Sequence, residues 1–364
     1  MNLVRSSVLK HPSGIEIKTP LLVPSFSSKG SIFPKAKAKS KKPKYTFFQT
    51  NTKLPEEQNP TSGKMSEVAV FLINALDTLT DSMLVSAYDI FHKHIPIPYE
   101  NNTPKIIFLD SGGYEIEDTF DYSTIIRRTV IANDWKEDHY LEVLEAWPDH
   151  VPSVFVGYEL KFRGKSIAEQ IKLAKKSLSK FRTKQLCTFL MKPVSNEQTF
   201  KQTLAEICEN ITKLKCFDII GIAEKDMGNS VLMVMQNIAK LRLKLDEAKI
   251  NIPLHIFGSL DPLSSWLYYI SGAELFDGLS WLRYGYFQGL TVYYRNNGIL
   301  SLGIDKNDDF IRVQSMNDNL YYLMDLQLEM ARFASDHDYD KIQFNGNLLK
   351  DAYKDLCKKI EKEV

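Results

Sequence analysis

Short, almost unbroken apolar runs recur along the chain, separated by longer segments in which apolar residues return at every third or fourth position. Runs of the first kind read as strands buried on both faces, and segments of the second kind as amphipathic helices. Residues 11–20 read as a β-hairpin arm, and 21–23 as the first short strand. A second strand is expected at Val68-Ala69-Val70-Phe71-Leu72, with 81–94 helical in period. Residues 105–109 form the third strand and 153–156 the fourth, with an acid-rich helical stretch at about 121–147 between them. Ser166 then caps a helix whose Ile167, Ile171, Ala174, Leu178 and Phe181 fall on one stripe.

The alternation continues through strands at 185–191, 217–221, 253–258 and 273–278. Helices are expected through Phe200, Leu204, Ile207, Ile211 and Leu214, over 230–248, and over 261–272. Eight strands alternating with helices, each too apolar for a one-sided sheet, imply parallel pairing and a closed (β/α)8 TIM barrel. An open doubly wound sheet is the competing α/β arrangement. The chain reads as one domain over 1–364, with a surface insertion at 34–64 and a C-terminal helical extension at 300–364.

In such a barrel the chemistry sits at the C-terminal ends of the strands. Asp110 ends the third strand in Leu109-Asp110-Ser111-Gly112-Gly113-Tyr114-Glu115, where the glycine pair lets the backbone turn tightly. Asp277 ends the eighth, and Asn74, Tyr158, Glu159, Lys192, the loop 221–224, Gly258 and Ser259 are expected around the same rim. Two carboxylates at one mouth suit a double displacement at a sugar carbon, one attacking the anomeric carbon and the other exchanging protons. An Asp in an ordinary strand-to-loop turn also serves simply as a cap. His255, among apolar neighbours, reads as a hydrogen-bonded core histidine. Of the four tryptophans, Trp281 is the one placed to reach the mouth.

Composition narrows the classes. The chain has 364 residues and a formal net charge of +1, so it exerts no global pull on nucleic acid. Locally, Pro34-Lys35-Ala36-Lys37-Ala38-Lys39-Ser40-Lys41-Lys42-Pro43-Lys44 places six lysines in eleven residues, a segment able to track phosphates or to lie solvated. No apolar run reaches the roughly 18 to 20 residues of a membrane helix. The N-terminal Met-Asn-Leu-Val-Arg-Ser-Ser lacks the apolar core of a signal peptide, so a cytoplasmic location is expected. The four cysteines, Cys187, Cys208, Cys216 and Cys357, include no CxxC or CxC pair, and reduced thiols with no metal site are expected.

The stretch from Leu109 to Glu115 resembles the DSGG-aromatic-Q/E motif of the tRNA-guanine transglycosylase family. His255-Ile256-Phe257-Gly258-Ser259 and Gly272-Ala273-Glu274-Leu275-Phe276-Asp277 resemble two late motifs of that family, in the family's order. Residues 15–24 are similar to its N-terminal arm, and 217–224 to its base-binding loop, so the resemblance covers about 8–300. It implies that Asp277 attacks C1′ of a guanosine nucleotide to give a covalent glycosyl-enzyme. Asp110 is then the general acid/base and Tyr114 stacks on the base. Ser111, Gly112, Gly113, Lys192, Gly258 and backbone groups of Gly221, Ile222 and Ala223 complete the base pocket, with Glu159 or its neighbour Tyr158 accepting from the base. No cofactor is implied.

The departures from the family matter too. The tRNA-acting enzymes end in a CxCxxC…His zinc subdomain, whereas Cys357 stands alone after Asp277. Lys192 stands where a glutamine is expected, and the loop reads Gly221-Ile222-Ala223-Glu224-Lys225. These departures resemble the DNA-acting branch, which exchanges guanine in DNA for 7-deazaguanine derivatives such as preQ0. The expected partners are DNA, a free 7-deazaguanine base and proteins of a DNA-modification cluster, with tRNA as the alternative polymer. Lys39, Lys41, Lys42, Arg283 and Arg295 are candidate phosphate contacts. A barrel that binds nucleic acid without acting on it is the reading from another class.

Overall fold

Eight parallel strands close on themselves, each bonded to its neighbours in chain order, with the last pairing the first. The structure, a computed structural model, describes residues 2–30, 66–79, 81–97, 104–117, 132–194 and 200–362. The expected insertion at 34–64 and its lysines lie outside the described residues. An antiparallel hairpin of β1 (Val8–Lys10) and β2 (Glu16–Lys18) leads into β3 (Leu21–Phe26), the first barrel strand. Its Leu9 and Ile17 cluster with Leu21, Ile106, Leu186, Ile219 and Leu275, the residues that open five barrel strands. The arm therefore stoppers the N-terminal end of the barrel and leaves the other end as the mouth.

Two expectations are reversed in the next segment. Val68 to Leu72 lies in helix α1 (Glu67–Ala75), and the second barrel strand is β4 (Ser82–Ser86), inside the stretch expected to be helical. A five-residue apolar run carries no period of its own. The Ser66 hydroxyl, accepting from Ala69 N–H, decides the matter by capping the helix. Ser82-Met83-Leu84-Val85-Ser86 looks half polar, yet all five residues are buried, because the barrel interior covers one face of the strand and the surrounding core covers the other. Only the short α2 (Ala87–Phe91) keeps the expected helical turn. Asn74 consequently lies on α1, where its amide donates to Val70 C=O, and is absent from the mouth.

The rest follows the expected order. β5 (Ile106–Asp110) runs into the four-residue α3 (Gly113–Ile116), and α4 (Glu137–Ala146) precedes β6 (Ser153–Val156). Then come α5 (Ile167–Leu178), β7 (Leu186–Met191), α6 (Phe200–Asn210), β8 (Ile219–Ala223) and α7 (Val231–Glu247). β9 (Leu254–Phe257), α8 (Pro262–Ile270) and β10 (Leu275–Gly278) complete the barrel. Ser166 and Glu169 form a reciprocal capping box on α5, while Ser230 and Asp261 cap α7 and α8 through their side chains. Beyond the barrel lie α9 (Ser280–Arg283), a hairpin of β11 (Gly285–Phe287) and β12 (Leu290–Val292), and helices α10 (Tyr294–Leu302), α11 (Asp308–Asp336) and α12 (Gly346–Glu361).

Strand residues alternate between two cores. Val23, Leu84, Phe108, Val156, Leu190 and Phe257 fill the barrel interior, while Phe155, Phe189, Ile220, Ile256 and Phe276 face the helices. Among the described residues no helix is long and apolar enough to cross a membrane. The four cysteines are free, Cys187 buried and the others half-buried.

Candidate active site

Many inward positions at the C-terminal ends of the strands are polar, and they surround a cavity of about 110 Å³. Ser25 and Ser86 enter it from β3 and β4, Asp110 from β5, and Asp277 from β10. Glu159, Lys192, Glu224, Lys225 and Gly258 enter from just beyond β6, β7, β8 and β9. Asp110 and Asp277, 167 positions apart in the chain, thus share one cavity.

The turn after Asp110 is built by its glycines. Gly112 has φ +87°, and a Cβ there would lie 2.7 Å from Tyr88 Cβ and 2.9 Å from Trp135 Nε1. Trp135 braces the same turn by donating to Ser111 C=O at 3.0 Å. At Gly113 a Cβ would sit 2.0 Å from Glu159 Oε1, so the missing side chain is what admits the Glu159 carboxylate. Ser111 Oγ donates to the other oxygen of Glu159, and Lys192 Nζ lies 3.9 Å from Oε1. Between the two neighbours left open by sequence, Glu159 lines the cavity and Tyr158 does not, packing instead against Tyr140.

The two aspartates have different surroundings. Asp110 accepts from Gly112 N–H at 3.3 Å, yet its pKa is raised well above the usual carboxylate range by burial and by the nearby charges of Glu159, Glu115 and Asp277. Its protonated form is therefore favoured. Asp277 is fixed by donors: Ser25 Oγ at 2.8 Å on Oδ2 and Gly258 N–H at 3.3 Å on Oδ1. Gly258, at φ +79°, turns its N–H toward that oxygen.

Glu115 is the second buried acid of the turn, accepting from Ser27 and Ser86 hydroxyls, with its pKa raised to about 7 by burial and Asp89. Burial pushes Lys192 down, but Glu159, Asp226, Glu117 and Asp110 outweigh it and raise its pKa, so the ammonium is retained. Burial likewise opposes ionisation of Glu117, and Lys192, Arg163 and Lys225 reverse the balance, lowering its pKa. Arg163 lies 2.7 Å and Lys225 3.6 Å from its carboxylate. The cavity thus combines a carboxyl with a raised pKa, a donor-fixed carboxyl, and the Glu159–Lys192 pair.

Of the residues expected at the site, Asp110, Gly113, Tyr114, Glu159, Lys192, Ala223, Gly258 and Asp277 line the cavity. Ser111 and Gly112 stand behind it as support, while Gly221 and Ile222 are consumed by β8, Gly221 packing against Phe257. Tyr114 lines the wall with Lys29 Nζ 4.5 Å above its ring. Arg283 is not at the surface: only 7% exposed, it donates to Tyr114 OH at 2.8 Å and braces that wall. Arg295 is exposed but paired with Asp308 at 3.1 Å, far from a bare phosphate contact. Lys39, Lys41 and Lys42 lie outside the described residues. Trp281 stops short of the mouth, donating to Ser25 C=O at 3.1 Å behind the cavity wall.

Ser25, Ser27, Ser86, Glu115, Glu117 and Lys225 line the cavity without having been expected as site residues, and Glu224, expected on the rim, lines it as well. A serine signals nothing by itself; register brings Ser86 beside Asp110. His255 is also misread. It is buried, as expected, but its Nε2 lies 3.0 Å from Asp277 Oδ1 and neither ring nitrogen has a hydrogen-bond partner. Among the described residues no group of three or more His, Cys, Asp or Glu is disposed to hold a metal ion. Neither a protein-family model nor a curated protein matches this chain.

Proposed function

We propose that this barrel is a base-exchange transglycosylase that replaces guanine in a nucleic acid, DNA in preference to tRNA, with a 7-deazaguanine derivative such as preQ0. The observation that carries the reading is the pairing of a proton-holding Asp110 with a donor-fixed Asp277 across one cavity at the barrel mouth. Acid/base work needs a group whose proton is available near neutral pH, and covalent catalysis needs a carboxylate held in a fixed orientation.

An oxygen of Asp277 bonds to C1′ as the bond from C1′ to the base nitrogen breaks, its electron pair leaving with guanine. Asp110 supplies the proton that guanine takes up. The incoming 7-deazaguanine then gives its ring N–H proton to Asp110, its nitrogen bonds to C1′, and Asp277 departs as carboxylate. Protons and charge balance over the cycle. Glu159 accepts from the base's amino and ring N–H groups, with Lys192 and Ser111 holding it, and the base stacks on the face of Tyr114 away from Lys29. A target base leaves its stack to reach a cavity of this depth. The preference for DNA rests on the sequence departures, the lone Cys357 and Lys192 in the pocket.

The test incubates the protein with labelled guanine or preQ0 and either duplex DNA or tRNA, then digests each polymer and follows the label. Label is expected in DNA, and Asp277→Ala should abolish both incorporation and any denaturation-resistant adduct. Label in tRNA alone would reverse the choice of polymer. Label in neither, or incorporation surviving Asp277→Ala, would remove the reading altogether.

A further inference from the structure

His255 projects inward from β9 and is fully enclosed. Its ring stacks on Phe257 with 3.8 Å between centroids and meets Phe108 edge-on at 5.5 Å. An imidazole packed this way needs a reason for its nitrogens, since a buried polar group left unpaired costs about 1–3 kcal/mol. Its charged neighbour is Asp277, with Nε2 at 3.0 Å from Oδ1, at ion-pair distance but off the line of a hydrogen bond. Hydrogen bonds of this kind are often misaligned in an empty site and tighten when substrate is bound. Gly258 N–H addresses the same oxygen, and Ser25 Oγ the other.

We propose that His255 is a positioning residue for Asp277: its N–H, with that of Gly258, holds Oδ1 and so leaves Oδ2 to form the bond to C1′. The proposal rests on the transglycosylase reading of this cavity. While the sugar is attached through Oδ2, Oδ1 is a carbonyl oxygen. In the second displacement the Oδ2–C1′ bond breaks and its electron pair returns to Asp277, while the base nitrogen bonds to C1′ and its proton passes to Asp110. Negative charge then spreads over both oxygens, and a donor already aimed at Oδ1 stabilises its return. The same donor stabilises the free carboxylate before attack, so it favours the second displacement over the first. Loss of His255 should slow release of the sugar more than its capture.

That asymmetry separates positioning from a packing role. His255→Phe keeps a ring between Phe257 and Phe108 and removes the donor; His255→Gln restores an amide N–H, and His255→Leu repeats the comparison should the Phe variant not fold. Each variant, checked for folding by circular dichroism, is assayed for label incorporation and for the fraction of protein covalently attached to polymer after a denaturing quench. His255→Phe is expected to incorporate about 10²-fold more slowly, with a larger attached fraction than wild type, and His255→Gln to recover part of both. A Phe variant that matches wild type, or that loses incorporation and adduct in parallel without rescue by Gln, overturns this proposal alone. A wild type that exchanges no base overturns it together with the reading of the cavity.

Discussion

Each end of the barrel buries a histidine among polar groups, and the two clusters are built in opposite ways. At the stoppered end His11 Nδ1 meets Ser13 Oγ at 2.8 Å and Nε2 meets Gln185 Oε1 at 2.9 Å. Ser153 N–H donates to Gln185 Oε1, and Trp147 Nε1 donates to Ser153 Oγ. Burial lowers the His11 pKa despite Gln185, Asp218 and Ser153, and the ring stays neutral. Every strong donor there is answered, which is how a polar cluster serves as a plug. At the mouth, His255 is unanswered apart from Asp277, and six carboxylates crowd one cavity with two lysines. Crowding of that kind is energetically costly, and it recurs where proteins arrange groups for chemistry.

The largest expected effect breaks the two ends apart by activity. Asp110→Asn should lower exchange by about 10²–10⁴ without destabilising the fold. Because the folded-state pKa of Asp110 is raised, its stabilising contribution is present at low pH and lost as pH rises through that pKa. Asn, which has no proton to lose, should therefore unfold at the same or a higher denaturant concentration at neutral pH; a lower midpoint would contradict the raised pKa of Asp110.

Gly113→Ala sharpens the comparison within the mouth. Its Cβ must displace the Glu159 carboxylate, so the KM for the free base should rise about 10-fold to 100-fold, the loss of a hydrogen bond to a charged group. An unchanged KM would take Glu159 out of base recognition. His11→Leu makes the complementary test at the plug: denaturant titration should show a loss of about 1–3 kcal/mol, with the exchange rate unaltered. A slower rate at full folding would couple the two ends.

The effect of Glu115→Gln is one of stability and is seen only as a pH dependence. The carboxyl titrates near pH 7 in the folded protein against an ordinary 4.5, so its stabilisation is complete below about 4.5 and fades as pH rises to 7. Thermal midpoints of wild type should fall across that window relative to the Gln variant. Parallel curves would show that Ser27 and Ser86 hold Glu115 ionised.

Seven of the eight barrel strands are legible in the chain because each is a short apolar run, most of them with a helix-period segment after it. The exception, Ser82–Ser86, hides its burial behind two serines, while Val68 to Leu72 imitates a strand until its Ser66 cap is seen. Asp110 and Asp277 are legible as carboxylates that end strands. Ser25, Ser86 and Lys225 are not, since polar residues at strand ends are common and only register makes them neighbours. His255 shows the limit most clearly. Apolar neighbours in sequence foretell its burial, but period-two alternation does not say which face it takes or what stands opposite.

The amino-acid sequence by itself determined the class of architecture, through the period of its apolar residues, and the two acidic strand ends that mark the mouth. Tertiary structure alone decided which strand is second, which loop residues share the cavity, that Arg283 is a buried brace, and that an imidazole touches Asp277. The physical reason is range. Periodicity and capping act over a few residues and are written locally, whereas burial, charge crowding and donor alignment arise between strands far apart in the chain that closure of the barrel brings together.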